Sequence, residues 1–327
     1  MKKTLIITAI LMVTTFDSSA QTIGQFTMWN QNHFIVNPAA AGNLDYLDAA
    51  VGYRRQWAGI KNAPSTFYGT AHTVLNRPKR SQVSSLRGTS SVVASNEEGK
   101  TKKKIGLKHA AGIAINNSEF GAFKKSEVSA TYALHLPITN EINLSFGLSA
   151  GWNNFGFDES KTAVIESNDP TYNSYFIGQN QNLFNVNTGS YLYSDRFFVG
   201  YSANQLLRNE LELSEAENTT DVTAISLHHF IIAGYHFDIN NNLRLTPSIL
   251  FKKLKSNPLN IDFSATLTYR QAMYVGLTYR TTDAISIMAG YQFSHLLRAG
   301  YAYDYTTSEL RGTSNGSHEV FIGFTLF

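Results

Sequence analysis

The chain has 327 residues, a formal net charge of +3 and no cysteine. That charge is too small to argue for nucleic acid or another polyanion, and the missing thiol removes cysteine catalysis, iron–sulfur clusters and cysteine zinc sites. Charged residues are 16% of the chain and aromatics 13%, where an average soluble domain carries about 25% charged residues.

Met1 to Ala20 reads as a secretory signal: Lys2 and Lys3, an apolar run Thr4–Val13, and the small-x-small end Ser18-Ser19-Ala20, which puts the first mature residue at Gln21. The apolar run is too short to span a bilayer as a helix, and no other long apolar segment follows, so a helical membrane protein is excluded. Few charges, many aromatics and no spanning helix is the balance of a membrane β-barrel. Composition alone still leaves a soluble exported protein open.

Residues 21–45 hold Gln25-Phe26-Thr27-Met28-Trp29-Asn30-Gln31 and then Val36-Asn37-Pro38-Ala39-Ala40-Ala41-Gly42. The proline disfavours helix at Asn37 and the glycine permits a sharp turn. The segment is expected to fold back as a plug or collar at the periplasmic mouth. The first strand, 46–56, ends Tyr53-Arg54-Arg55-Gln56-Trp57, with Tyr53, Arg55 and Trp57 on one face and Arg54 and Gln56 on the other. Trp57 stands where an interfacial anchor would lie. Ala63-Pro64-Ser65-Thr66 opens the second strand.

Between strands two and three, residues 76–106 form a basic, Ser-rich insert. Arg77, Lys79, Arg80, Arg87, Lys100, Lys102, Lys103 and Lys104 oppose only Glu97 and Glu98. The insert is either a tether for an acidic partner or for lipid phosphates, or a solvated variable loop.

The decisive signal is alternation. Ile142, Leu144, Phe146, Leu148, Ala150 and Trp152 interleave with Asn143, Ser145, Gly147, Ser149, Gly151 and Asn153. A helix cannot produce this; a strand between two environments can. The pattern recurs at Ile261–Arg270, Met273–Arg280, Ile285–Phe293 and Leu296–Tyr305, and ends with Val320, Ile322, Phe324 and Leu326. Strands of about ten residues match a tilted bilayer crossing, and Tyr269, Tyr279, Phe293 and Tyr305 sit near strand ends on the apolar face. A closed antiparallel transmembrane barrel of about fourteen strands over 46–327 is therefore expected, rather than a sandwich. Even parity makes Pro137–Asn140, Ser194-Asp195, Ile239–Asn242, Arg270-Gln271 and Ser294-His295 tight periplasmic turns, leaves 156–181, 205–225 and 306–316 as outer loops, and puts both chain ends on the periplasmic side.

Arg244, Arg270, Arg280, Arg298, Asp262 and Asp304 are expected to face the lumen, as a ladder of ion pairs or as a selectivity lining. His228 and His229 are adjacent and must point to opposite faces, which spoils joint metal ligation. No nucleophile elbow, phosphate loop or zinc spacing is present, so no enzyme, cofactor or metal is expected.

The opening motif, followed by the YRxQW-type strand end and Ala63-Pro64-Ser65-Thr66, resembles the PorP/SprF family of Bacteroidetes outer-membrane proteins, whose hallmark is a YxxN opening before NPAxAG; here Trp29 stands at the aromatic position. The runs Tyr279–Ile285 and Gly300–Tyr305 are similar to the same family's ending. The resemblance implies an outer-membrane component of the type IX secretion and gliding machinery. It further implies periplasmic ring or peptidoglycan-linked partners and a large adhesin-type cargo. Asn37, Pro38, Gly42, Arg54, Gln56, Trp57, Lys102, Lys103 and Lys104 are the expected partner-binding residues, with closure of the barrel mouth as the alternative for the first six and a solvated loop for the three lysines. Outer-membrane lipid is the other expected partner, and a passive or substrate-selective channel the alternative function.

Overall fold

The computed structural model describes residues 24–76, 106–161, 180–207, 210–211, 223–224, 227–254 and 259–326. The signal segment, Lys102, Lys103, Lys104 and nearly all of the 76–106 insert lie outside the described residues, as do most of the 156–181 and 205–225 loops and Phe327.

The wall is built from β1 (Leu47–Arg55), β2 (Ser65–Val74), β3 (Lys108–Phe120), β4 (Phe123–Pro137), β5 (Asn143–Phe157), β6 (Gln181–Tyr193) and β7 (Phe197–Asn204). It continues with β8 (His228–Tyr235, resuming as Phe237–Asn240), β9 (Leu243–Leu254), β10 (Asn260–Tyr269), β11 (Met273–Arg280), β12 (Ala284–Gln292), β13 (Leu297–Thr306) and β14 (Ser317–Leu326). Every neighbouring pair is antiparallel, and the ring closes where β14 pairs with β1, Leu47 opposite Leu326 and Arg55 opposite His318. The expected fourteen-strand closed barrel is what the chain forms. A two-residue pair, Glu210–Leu211 with Thr223–Ala224, stands apart from it.

Side-chain exposure decides between barrel and sandwich. Along β14, Val320, Phe324 and Leu326 are 46%, 45% and 52% exposed, while Glu319 and Phe321 are wholly buried. The same holds around the ring, with Tyr53, Phe67, Leu148, Trp152, Phe263, Leu277 and Ile287 all exposed. A sandwich would bury its apolar face. This chain turns that face outward as a continuous band far larger than a soluble monomer carries, which is the surface a bilayer covers.

Strand ends differ from the expectation by a few residues, and three differences matter. The strand expected over 226–238 is interrupted at His236, whose N–H is donated to the Arg196 carbonyl before the chain continues as a hairpin with β9. Arg270 does not face the lumen. It and Gln271 form the β10–β11 turn with φ of 49° and 54°, the left-handed pair a two-residue hairpin requires, and its guanidinium lies 5.2 Å from the Tyr269 ring. Finally, the rim carrying the long connections is not uniformly long, since β3–β4 and β11–β12 are joined there by tight turns at 121–122 and 281–283.

The lipid-facing wall should tolerate charge only near its rims. Leu277→Arg, in mid-strand and outward, is expected to lower the unfolding free energy by about 2–4 kcal/mol. Reversible denaturation in lipid vesicles measures it.

Candidate functional site

What distinguishes this barrel is its interior. Residues 24–46, expected as a plug or collar at the mouth, run through the lumen. Thr27 lies level with the outer ends of β1, β11, β13 and β14, and the segment descends to Gly42 near the short-turn rim, where β1 begins. The end of β14 and the start of β1 stand at the short-turn rim, whereas Thr27 lies at the level of the opposite rim. The reason is volume: a ring this wide encloses more space than inward side chains fill.

Three short 3-10 turns build the plug: Thr27–Gln31, His33–Ile35 and Pro38–Ala40. The last is capped by Asn37, whose side-chain oxygen accepts from the Ala39 N–H at 2.9 Å, with Pro38 at the first helical position. Gly42 exits the segment at φ +72°, in the left-handed region where glycine is favoured. The wall is shaped to receive this backbone. A side chain at Gly147 would overlap the Pro38–Ala39 peptide, and Gly189 and Gly200 flank the Asn37 amide.

Apolar contact supplies the bulk of the seat. Trp29, Phe34, Val36 and Ala39–Ala41 pack against inward Tyr191, Tyr193, Phe198, Ile232 and Leu250. Met28 packs with Tyr68, Met288 and Phe321. Wall hydroxyls and imidazoles take up the plug's backbone groups. Ser202 donates to the Val36 carbonyl at 2.6 Å and Ser145 to that of Ala39 at 2.5 Å. His135 meets the Ala41 carbonyl at 2.7 Å, and the Gly42 N–H is donated to His72 at 3.1 Å. Asn37 donates to the Ser190 carbonyl at 3.0 Å. Buried backbone groups thereby find partners, as they must away from water.

The upper end is held by charge. Glu319 accepts the backbone N–H groups of Thr27 at 2.7 Å and Met28 at 3.2 Å, and the Tyr68 hydroxyl at 2.8 Å. The Thr27 hydroxyl donates to Asp304 at 2.9 Å and accepts from Arg54 at 2.8 Å. Arg54 also pairs with Asp304 at 2.6 Å and Glu319 at 3.3 Å. Arg280 links Asp304 to Asp262 at 3.3 and 3.2 Å, and Lys252 completes the chain to Asp262 at 3.0 Å. All six ionised groups are essentially buried. A second pair at the other end joins Arg298 to Asp48 at 2.5 Å.

The expected ladder of ion pairs is thus present, with changes in membership. Arg280, Arg298, Asp262 and Asp304 face inward and are paired, whereas Arg244 lies half-buried at the short-turn rim against Asp238, 2.6 Å away. Glu319, Lys252, Asp48 and Thr27 were missed. Glu319 and Asp48 fall in the inward phase of their strands, which was the available signal. His229 hydrogen-bonds outward-facing Tyr201 at 2.9 Å while His228 sits near inward Phe230, so the two rings stay apart.

Of the residues expected to meet a partner, Asn37, Pro38, Gly42, Arg54 and Gln56 are buried, and Asn37, Gly42 and Arg54 are bonded to the chain's own groups. Trp57 is half-buried, at φ 45°, with its N–H donated to Ser317 at 3.1 Å. Beneath the plug a cavity of about 220 Å³ remains, lined by amides including Asn30, Asn32, Asn240 and Gln271 and reaching the short-turn rim.

Truncating one member of the network strands the others. Arg280→Ala is expected to cost about 3–5 kcal/mol in denaturant unfolding. Gly147→Leu should instead unseat the plug from an intact barrel, so that chymotrypsin cuts at Trp29 and Phe34, which the native protein protects.

Among solved structures, the toluene transporter TbuX of Ralstonia pickettii aligns over 89% of this chain and 92% of its own, with a TM-score of 0.51 at 8% identity. A FadL homologue of Pseudomonas aeruginosa aligns over 88% and 92%, with a TM-score of 0.46 at 11% identity. The likeness to the first is one of fold, a closed outer-membrane barrel. Comparison with curated proteins finds no match. The profile of the family described as type IX secretion system membrane protein PorP/SprF matches residues 18–324. Nearly the whole chain, plug motif and closing strand included, is therefore covered by one family, and the protein belongs to the PorP/SprF type IX secretion system membrane proteins.

Proposed function

We propose that this outer-membrane barrel is a closed, non-enzymatic component of the type IX machinery. It binds periplasmic ring or peptidoglycan-linked proteins at its short-turn rim and assists export or surface attachment of a large adhesin-type cargo at the opposite rim. The observation that carries this reading is the filled lumen: a segment anchored to a network of six buried ionised groups, and seated on continuous apolar contact, leaves the interior to structure rather than to transit. With Asn37, Arg54 and Gln56 inside, partner contact falls to the rims. There the Lys102-Lys103-Lys104 run of the basic insert offers charge to an acidic partner.

Planar-bilayer recording tests the reading. The protein is expected to pass no large steady current, and the plug-unseating Gly147→Leu variant to open one. A large steady current from the unaltered protein, together with failure to co-purify a periplasmic ring protein or a surface adhesin, would establish the alternative, a passive or substrate-selective channel.

A further inference from the structure

Arg55 has no part in the lumen. The Tyr-Arg-Arg run splits across the β1 pleat: Arg54 points in, and Arg55, the last residue of the strand, points out with Tyr53. It is exposed, on the lipid-facing surface, at the rim of the long connections, and among the described residues its side chain has no hydrogen bond or ion pair. Arginine in the hydrocarbon is expensive; at the headgroup level it is tolerated and meets anions.

The neighbours of Arg55 mark that level. It stands opposite His318 on β14, which stands opposite Tyr303 on β13. The His318 ring lies 5.2 Å from that of Tyr303, and its Nδ1 is 2.6 Å from the Tyr301 hydroxyl. With the tyrosine donating, Nε2 carries the ring N–H and is a donor. Above them the Arg311 guanidinium lies 5.4 Å from the Tyr305 ring. The β1–β2 and β13–β14 connections are tied together, Ala58 N–H to the Gly316 carbonyl and Asn315 N–H to the Ala58 carbonyl, both at 2.7 Å, so exposed Lys61 belongs to the same rim. Glu309 is the acid on this stretch. Four outward tyrosines, Tyr53, Tyr301, Tyr303 and Tyr305, form the interfacial girdle among which the cations stand.

We infer that the outer face of β13, β14 and β1 is a binding site for the phosphorylated sugar headgroup of an outer-leaflet glycolipid. Arg55 and Arg311 grip the phosphate, His318 donates to it, and the tyrosine rings offer flat faces to the sugar. A guanidinium fork matches phosphate oxygens two at a time, which a lone ammonium does not. The seam of the barrel, where β14 meets β1, is thereby pinned to the outer leaflet.

The test is titration of the purified, folded full-length barrel with diphosphorylated lipid A, read by native mass spectrometry, with heat-modifiable mobility confirming the fold of each variant. Arg55→Gln/Arg311→Gln is expected to weaken binding about tenfold, Arg55→Lys/Arg311→Lys to recover part of it, and Arg270→Gln at the opposite rim to change nothing. Dephosphorylated lipid A should bind the unaltered protein about tenfold more weakly. Equal binding by the double glutamine variant, or no distinction between the two lipids, overturns the site. Phosphatidylglycerol binding as tightly as lipid A overturns the glycolipid assignment.

Discussion

An ionised row buried inside a membrane must be wet or fully paired, and the lumen of this barrel is organised by the second solution. Arg54, Arg280 and Lys252 balance Asp262, Asp304 and Glu319 in number, yet the wall alone leaves Glu319 short of donors. The plug supplies them from its backbone, through the Thr27 and Met28 N–H groups. The Thr27 hydroxyl sits between Arg54 and Asp304 as both donor and acceptor. Remove the plug and the row must hydrate; remove the row and the plug keeps its apolar seat but loses what sets its height. Burial supplies most of the attraction and the polar network the register, a division seen wherever a buried charge specifies one arrangement among several.

The same division explains what could be read from the chain before its structure. Period-two alternation in stretches such as Ile142–Asn153 reports two environments on one strand, so the wall, its closure and its outward face were legible. The Asn37-Pro38 and Gly42 signals pointed to a break before the proline and a sharp exit at the glycine. The depth of the plug was not legible, because contacts such as Asn37 with Ser190 or Thr27 with Asp304 join positions far apart in sequence. Alternation assigns a residue to a face but is blind to what waits across the lumen. It also fails where a strand stops: Arg270 kept the inward phase on paper, but the hairpin takes it and Gln271 into the left-handed region and out of the wall.

Two adjacent arginines on β1 show how much one pleat can separate. Arg54 is at 1% exposure, shared between two carboxylates and a threonine, while its neighbour is turned to the bilayer edge. A motif written as consecutive letters thus holds two unrelated requirements, one belonging to the lumen and one to the membrane surface. A change that exchanges their phase, such as a one-residue slip of β1, would put both in the wrong medium at once.

The hydrogen bond from Thr27 to Glu319 spans 292 positions of the chain, and it has a consequence for the order of assembly. Glu319 belongs to the last strand to be made, and Arg54 to the first, on opposite sides of the closing seam. The plug's upper anchor therefore does not exist until the ring has closed around it. Loop-closure entropy makes such a contact among the latest to form. Until then the first segment has to be held in the open lumen by its apolar seat and wall hydrogen bonds on β3 to β9, waiting at the threshold like a bolt whose keeper arrives with the door.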